Sequence, residues 1–203
     1  MDYWGYAMRV ETIGLATLYC ADNADVMPLL GEVDHVISDP PYSAADTHAT
    51  HLSTTTLRNG EPARRALGFS GITQDECRAL VAQWCDAAGG WVVFTCEWHY
   101  MEALHQDGLL VRFGIWRKPN GAPQFTGDRP GMGWEAVAIC HGRGRGGDNR
   151  KTWNGGGKHA FWEIPLEHGK THPTQKPIAL YDHFVKDFTN HGQLILDPFM
   201  GSG

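Results

Sequence analysis

The run Trp91-Val92-Val93-Phe94-Thr95-Cys96 is apolar at almost every position. A half-exposed strand alternates apolar and polar residues, so a run like this one needs cover on both faces. That requirement points to an α/β domain: a mostly parallel sheet with helices packed on each side. The segment ahead of it fits. In "ITQDECRALVAQWC", Thr73 is an N-cap, Glu76 the returning acid of a capping box, and Ile72 the apolar residue before the cap. Leu80, Val81 and Trp84 would form the buried stripe of this helix, and Gly89-Gly90 ends it. Further along, "EWHYMEALHQ" reads as helix, "LLVRFGIW" and "WEAVAIC" as strands, and "IALYDHFVKDF" as a helix with Pro177 at its first turn. Near the start, "ATLYC" reads as a short strand and "ADVMPLL" as a short helix interrupted by Pro28.

Two more apolar runs end the same way. "HVIS" leads into Asp39-Pro40-Pro41-Tyr42, and "QLIL" leads into Asp197-Pro198-Phe199-Met200-Gly201-Ser202-Gly203. In open α/β sheets, ligands sit beyond the carboxyl ends of strands, near the point where strand order reverses. Neighbouring strands would therefore let both Asp-Pro loops line one crevice. The prolines fix φ and carry no amide donor. Asp39, with the Pro40 carbonyl, offers two acceptors for the hydrogens of an amino group, and Tyr42 offers a flat face for a base out of its stack. The turn ending in Gly201 and Gly203 lets backbone approach a ligand closely.

The chain has 203 residues, enough for a single domain with a small insertion. Hydrophobic residues make up 42% and no apolar run reaches membrane-span length, so no membrane partner is expected. The N-terminus lacks the basic-then-apolar pattern of a signal peptide. The five cysteines are scattered, which fits reduced thiols rather than disulfides or a zinc site. His48 and His51 have metal-like spacing but no further ligands nearby in sequence, so no metal is expected.

Net charge is −6, unevenly spread: Arg112 to Lys158 holds nine Lys/Arg and three Asp/Glu, a local +6. Within it the glycine-rich loop "HGRGRGGDNRKTWNGGGKH" supplies Arg143, Arg145, Arg150, Lys151 and Lys158, with Trp153 among them. Such a segment can serve phosphate contact and base-edge readout, or be a solvated loop. The polar stretch 43–70 reads as a lid, a DNA contact or disorder.

Three motifs in order, "SDPPY", "HPTQKP" and "LDPFMGSG", resemble the amino-methyltransferases of DNA in their permuted β class, where the catalytic motif precedes the cofactor loop. Flanking stretches, including "RPGMGWEAVAIC", resemble phage and prophage members. The resemblance implies a Rossmann-like S-adenosylmethionine-dependent methyltransferase fold, with S-adenosylmethionine as cofactor and double-stranded DNA as partner. Asp39, Pro40, Pro41 and Tyr42 would form the reaction centre. Asp22, Thr174, Lys176, Asp197, Phe199, Gly201, Ser202 and Gly203 would hold the cofactor, with Lys176 at its methionine end. Residues 119–170 would form an inserted DNA-recognition region within one domain. Asp at the first motif position leans toward adenine N6 as acceptor, with cytosine N4 as the alternative. An inactive nucleic-acid-binding remnant remains a reading of another class, and an RNA acceptor stays open. A cytoplasmic, bacterial or phage-encoded protein is implied, while a restriction endonuclease or a homodimer as further partner stays open. Family members continue past the glycine-rich loop, so the C-terminal part of the sheet is expected to be missing from this chain, as in a fragment or a natural truncation.

Overall fold

The computed structural model describes residues 8–43, 71–124, 127–144, 151–167 and 175–201. Arg145, Arg150, Thr174, Ser202, Gly203 and all of the polar stretch except Ser43 lie outside the described residues, His48 and His51 among them.

Strands β1 (Arg9–Ile13) and β2 (Ala16–Cys20) pair antiparallel around Gly14, whose φ of 59° suits a residue without Cβ. This hairpin stands apart from the main sheet, and almost all its residues are exposed. A short helix α1 (Asn23–Val26) follows and tightens to a 3-10 turn (Met27–Leu29), where Pro28 cannot supply a helical amide.

The main sheet is built from β3 (His35–Ser38), β4 (Trp91–Cys96), β5 (Leu110–Arg117), β6 (Trp134–His141), β7 (Phe161–Glu163) and β8 (Ile195–Leu196). Its order is β7-β5-β6-β4-β3-β8. β3 lies parallel to β4 and β8, and β5 parallel to β7, while β6 runs antiparallel to β4 and β5. The mostly parallel sheet thus has one reversed strand, because β5 and β6 are joined by a loop rather than a crossover helix. The apolar character of "WVVFTC" therefore reflects double-sided cover, not parallel neighbours alone.

Strand parity divides the core. Val36, Val92, Phe94, Cys96, Ala136 and Ala138 face helices α2 (Gln74–Ala87) and α3 (Met101–Gln106). Ile37, Trp91, Val93, Val137 and Ile139 face helix α4 (Ile178–Phe188) on the other side. Helices on both faces are what the sequence predicts. Trp84, Trp116, Phe94 and Phe184 are among the largest fully buried side chains, each contributing about 1.5–3 kcal/mol by leaving water. The capping box at α2 is present in full, with Thr73 accepting from the Glu76 amide and the Glu76 carboxylate accepting from Thr73.

His35 fixes the amino ends of the central strands. Its Nδ1 accepts from the Trp91 amide at 3.0 Å, and its Nε2 is 2.9 Å from Gln193 Oε1. Gly90 passes beside that ring, where an added Cβ would lie 2.4 Å from it. Strand register is therefore set at the amino ends, and the carboxyl ends are left to carry the site.

Candidate active site

From β3 the chain first moves to β4 on one side; its last strand, β8, falls on the other. The reversal of strand order lies between β3 and β8, where α/β sheets open a crevice. Asp39 follows the last residue of β3 and Asp197 the last residue of β8, so the two Asp-Pro loops do share one rim. Ser38 Oγ donates to Asp197 Oδ1 at 2.6 Å, and the Phe199 amide donates to the same oxygen at 3.0 Å. Asp197 thereby shapes its own turn, and burial raises its carboxyl above the usual value despite those two donors. Gly201 has a φ of 66°, a conformation side chains resist.

Asp39 sits among groups drawn from four parts of the chain. Thr95, the hydroxyl in the apolar run of β4, donates to Oδ1 at 2.5 Å. Lys176, just ahead of α4, places its Nζ 2.8 Å from Oδ1 and 2.9 Å from Oδ2. The same nitrogen stands 3.4 Å from Glu135 Oε2 on β6 and 4.7 Å from the centre of the Tyr42 ring. The Tyr42 hydroxyl donates to Glu135 Oε2, and Lys118 Nζ binds Glu135 Oε1 at 2.9 Å. Tyr181, from the face of α4, donates to the Ser38 carbonyl at 3.2 Å.

The two acids respond differently to this setting. Burial pushes the Asp39 carboxyl up, and Lys176 and Thr95 only partly offset it. Burial also acts on Glu135, but the ammonium groups of Lys176 and Lys118, with the Tyr42 hydroxyl, outweigh it and hold the carboxyl at about 2. Lys176 is kept charged, because Glu135 and Asp39 overcome its own desolvation. Burial and the neighbouring carboxylates push the Tyr42 hydroxyl well up, so it remains a donor.

A cavity of about 780 Å³ opens beside this cluster, lined by Asp22, Asn23, Pro41, Ile72, Leu80 and Phe199 among others. That size suits a nucleotide-like ligand. Asp22 borders it while its carboxylate caps α1, accepting from the Ala24 amide at 2.9 Å. Phe199 is held edge-on to buried Trp84, with ring centres 6.0 Å apart. Pro41 lines the cavity one residue from Tyr42, so cavity and acid cluster are contiguous.

Of the residues singled out in the sequence, Asp39, Pro41, Tyr42, Asp22, Asp197, Phe199 and Gly201 gather at this crevice, with buried Pro40 between Asp39 and Pro41. Lys176 gathers there too, but against Asp39 and Glu135 rather than among the residues that line the cavity. Of the basic segment, the described residues Arg143, Lys151, Trp153 and Lys158 do not. β6 ends at His141, opposite Trp91 at the start of β4, so the loop after it leaves from the amino edge of the sheet. There Arg143 pairs with Asp86 at 2.9 Å, and Lys158 pairs with buried Asp187 at 2.8 Å. Trp153 packs on Phe188, and Lys151 lies in the same stretch. A connection that does leave from the crevice end is the one between Arg117 and its partner Trp134, described over 118–124 and 127–133. Nothing in the motifs points to Glu135, Thr95, Lys118 or Tyr181; the available signal was an acid and a hydroxyl interrupting otherwise apolar strands.

A family model described as a DNA methylase, of the N6/N4 methyltransferase type, matches residues 33–203. The chain belongs to this family. Among related proteins, the type II methyltransferase M.Cfr9I of Citrobacter freundii is 31% identical over 125 residues, covering 52% of this chain and 38% of that protein. M.HpaI of Haemophilus parainfluenzae is 47% identical over 47 residues, covering 21% of this chain and 15% of that one. The chain thus spans well under half the length of these relatives. Among solved structures, the M1.HpyAVI–SAM complex superposes with a TM-score of 0.61 at 21% identity, covering 91% of this chain and 83% of that one. The cytosine-N4-specific PvuII DNA methyltransferase superposes with a TM-score of 0.60 at 12% identity, covering 88% and 72%. These likenesses place the methylase fold on the six-stranded sheet described above.

Proposed function

We propose that this chain transfers a methyl group from S-adenosylmethionine to the exocyclic amino nitrogen of a flipped adenine in DNA. The observation that carries the reading is the position of Asp39: a carboxylate at the reversal of strand order, with the Tyr42 ring beside its partner Lys176 and a nucleotide-sized cavity bordered by Pro41, two residues on. The cavity suits the cofactor chemically. Phe199, Leu80 and Ile72 offer apolar surface for a ring, and Asp22 offers an acceptor at its border. When bound, the cofactor supplies a methyl group already activated by its sulfonium.

What the chain itself must do is limited and physical. An exocyclic amino nitrogen is a poor nucleophile because its lone pair is delocalised into the ring. Asp39 accepts one amino hydrogen and the Pro40 carbonyl the other, which favours a tetrahedral nitrogen with its lone pair available. Tyr42 holds the base plane, and its hydroxyl is anchored by Glu135. Positioning of this kind replaces the search for geometry that a bimolecular reaction requires. Thr95 orients the Asp39 carboxylate from the strand behind it. The N6/N4 family takes in both acceptors, and the support for adenine is the Asp at the first motif position, Asp39. Cytosine N4 is the second reading, since the cytosine-N4-specific PvuII enzyme shares this fold.

The test is methyl transfer from labelled S-adenosylmethionine to unmodified bacterial DNA, followed by digestion and nucleoside analysis. Label in N6-methyladenine is expected. Label in N4-methylcytosine would move the reading to the alternative, and salt-sensitive DNA binding without label would leave only a binding remnant.

A further inference from the structure

An amino group arriving at Asp39 meets a position that is already filled. The Lys176 ammonium lies 2.8 Å and 2.9 Å from the two carboxylate oxygens and 4.7 Å from the centre of the Tyr42 ring. A substrate amino group bound to Asp39, with its ring against Tyr42, needs the same acceptor atoms and the same approach. With Thr95 already on Oδ1, the amine competes with the Lys176 ammonium for the remaining acceptor sites and for the space between Asp39 and the Tyr42 ring.

The displaced ammonium needs somewhere to go. The side chains of Lys176, Lys118 and Glu135 are only 12%, 14% and 18% exposed, so water is a poor substitute partner for a charge in this place. Glu135 is the adjoining acid, its Oε2 3.4 Å from Lys176 Nζ. Closing that gap to ordinary ion-pair distance takes a movement of under about 1 Å, within the reach of a flexible lysine stem. Lys118 already occupies Oε1 of Glu135, which leaves Oε2 to receive the second ammonium and the Tyr42 hydroxyl together.

We propose that Lys176 fills the acceptor-amine position in the free chain, and that Glu135 is the positioning residue that receives its ammonium when the substrate's amino group takes over Asp39. This rests on the amino-methyltransferase reading. Glu135 then does two coupled things at one oxygen: it holds the Tyr42 ring that meets the base, and it clears Asp39 for the amine. Without Glu135, the Lys176 ammonium would keep Asp39 as its carboxylate partner.

The experiment is steady-state transfer to unmodified bacterial DNA by the full chain and by Glu135→Gln and Glu135→Asp, with S-adenosylmethionine affinity measured alongside by calorimetry. Gln keeps an oxygen for the Tyr42 hydroxyl but carries no charge, whereas Asp keeps the charge. We expect kcat/KM for DNA to fall about tenfold or more in Glu135→Gln and to stay within about threefold in Glu135→Asp, with cofactor affinity unchanged in both. Glu135→Gln within threefold of the wild type, or Glu135→Asp as impaired as Glu135→Gln, would overturn the inference alone. Absence of label from the wild-type chain would overturn the functional reading and this inference with it.

Discussion

Burial raises the Asp39 carboxyl above its ordinary value of 3.8, while the chemistry proposed for it requires the ionised form. Loss of transfer on acidification should therefore begin at a higher pH than for a free carboxylate, and kcat/KM, which reports the free enzyme, is where to read it. Asp39→Asn keeps the shape and removes the charge; we expect transfer to fall roughly a hundredfold or more, with the melting temperature little changed. Glu135 has the opposite sign. Its carboxyl is held at about 2 against an ordinary value of 4.5, so it contributes stability that is present above 4.5 and is lost as pH falls toward 2. The melting-temperature gap between wild type and Glu135→Gln should accordingly be widest above pH 4.5 and close in stronger acid. A gap that does not change with pH would rule out the ion pairs with Lys176 and Lys118 as its source.

Elements differ in how far the sequence reveals them. The α2 helix is legible end to end because its cap is local: Thr73 and Glu76 meet within one turn. Thr73→Ala should cost about 1 kcal/mol in urea unfolding, with the slope unchanged. β4 is equally legible from its unbroken apolar run. β1, by contrast, has "RVETI" with every residue exposed, so burial leaves no pattern to read, and three-residue β7 is too short for periodicity. The crevice itself was half legible. Asp39, Tyr42, Asp197 and Phe199 announce themselves because proline and glycine mark their loops. The contact of Lys176 with Asp39 spans 137 positions, and no local rule brings them together. The destination of the basic loop was hidden for a related reason: it depends on which way β6 runs. Gly142 at that strand's exit belongs to the same geometry, since an added Cβ would lie 2.1 Å from the Ala88 carbonyl oxygen. Gly142→Ala should lower stability by about 1–3 kcal/mol, because backbone on both sides must shift.

At the scale of the molecule, the sheet separates two kinds of positive charge. At the amino edge, Arg143 and Lys158 are engaged by Asp86 and by the buried Asp187. At the carboxyl edge, loop 118–133 carries Arg129, 67% exposed and paired with its neighbour Asp128. A surface pair of that kind is worth little and is readily exchanged for a phosphate. Under the proposed function, DNA presenting a base to Asp39 would approach the carboxyl edge, where the crevice opens. Arg129→Ala should therefore reduce the slope of log affinity against log salt by about one, whereas Lys158→Ala should leave the slope unchanged. Lys158→Ala should show itself in stability instead: Asp187 is 3% exposed, and stripping its ammonium partner leaves a buried carboxylate to be compensated, at a cost of about 1–3 kcal/mol in urea unfolding. If the two substitutions exchanged these effects, the amino edge would be the DNA-binding face, and the base would have to reach Asp39 from around the sheet.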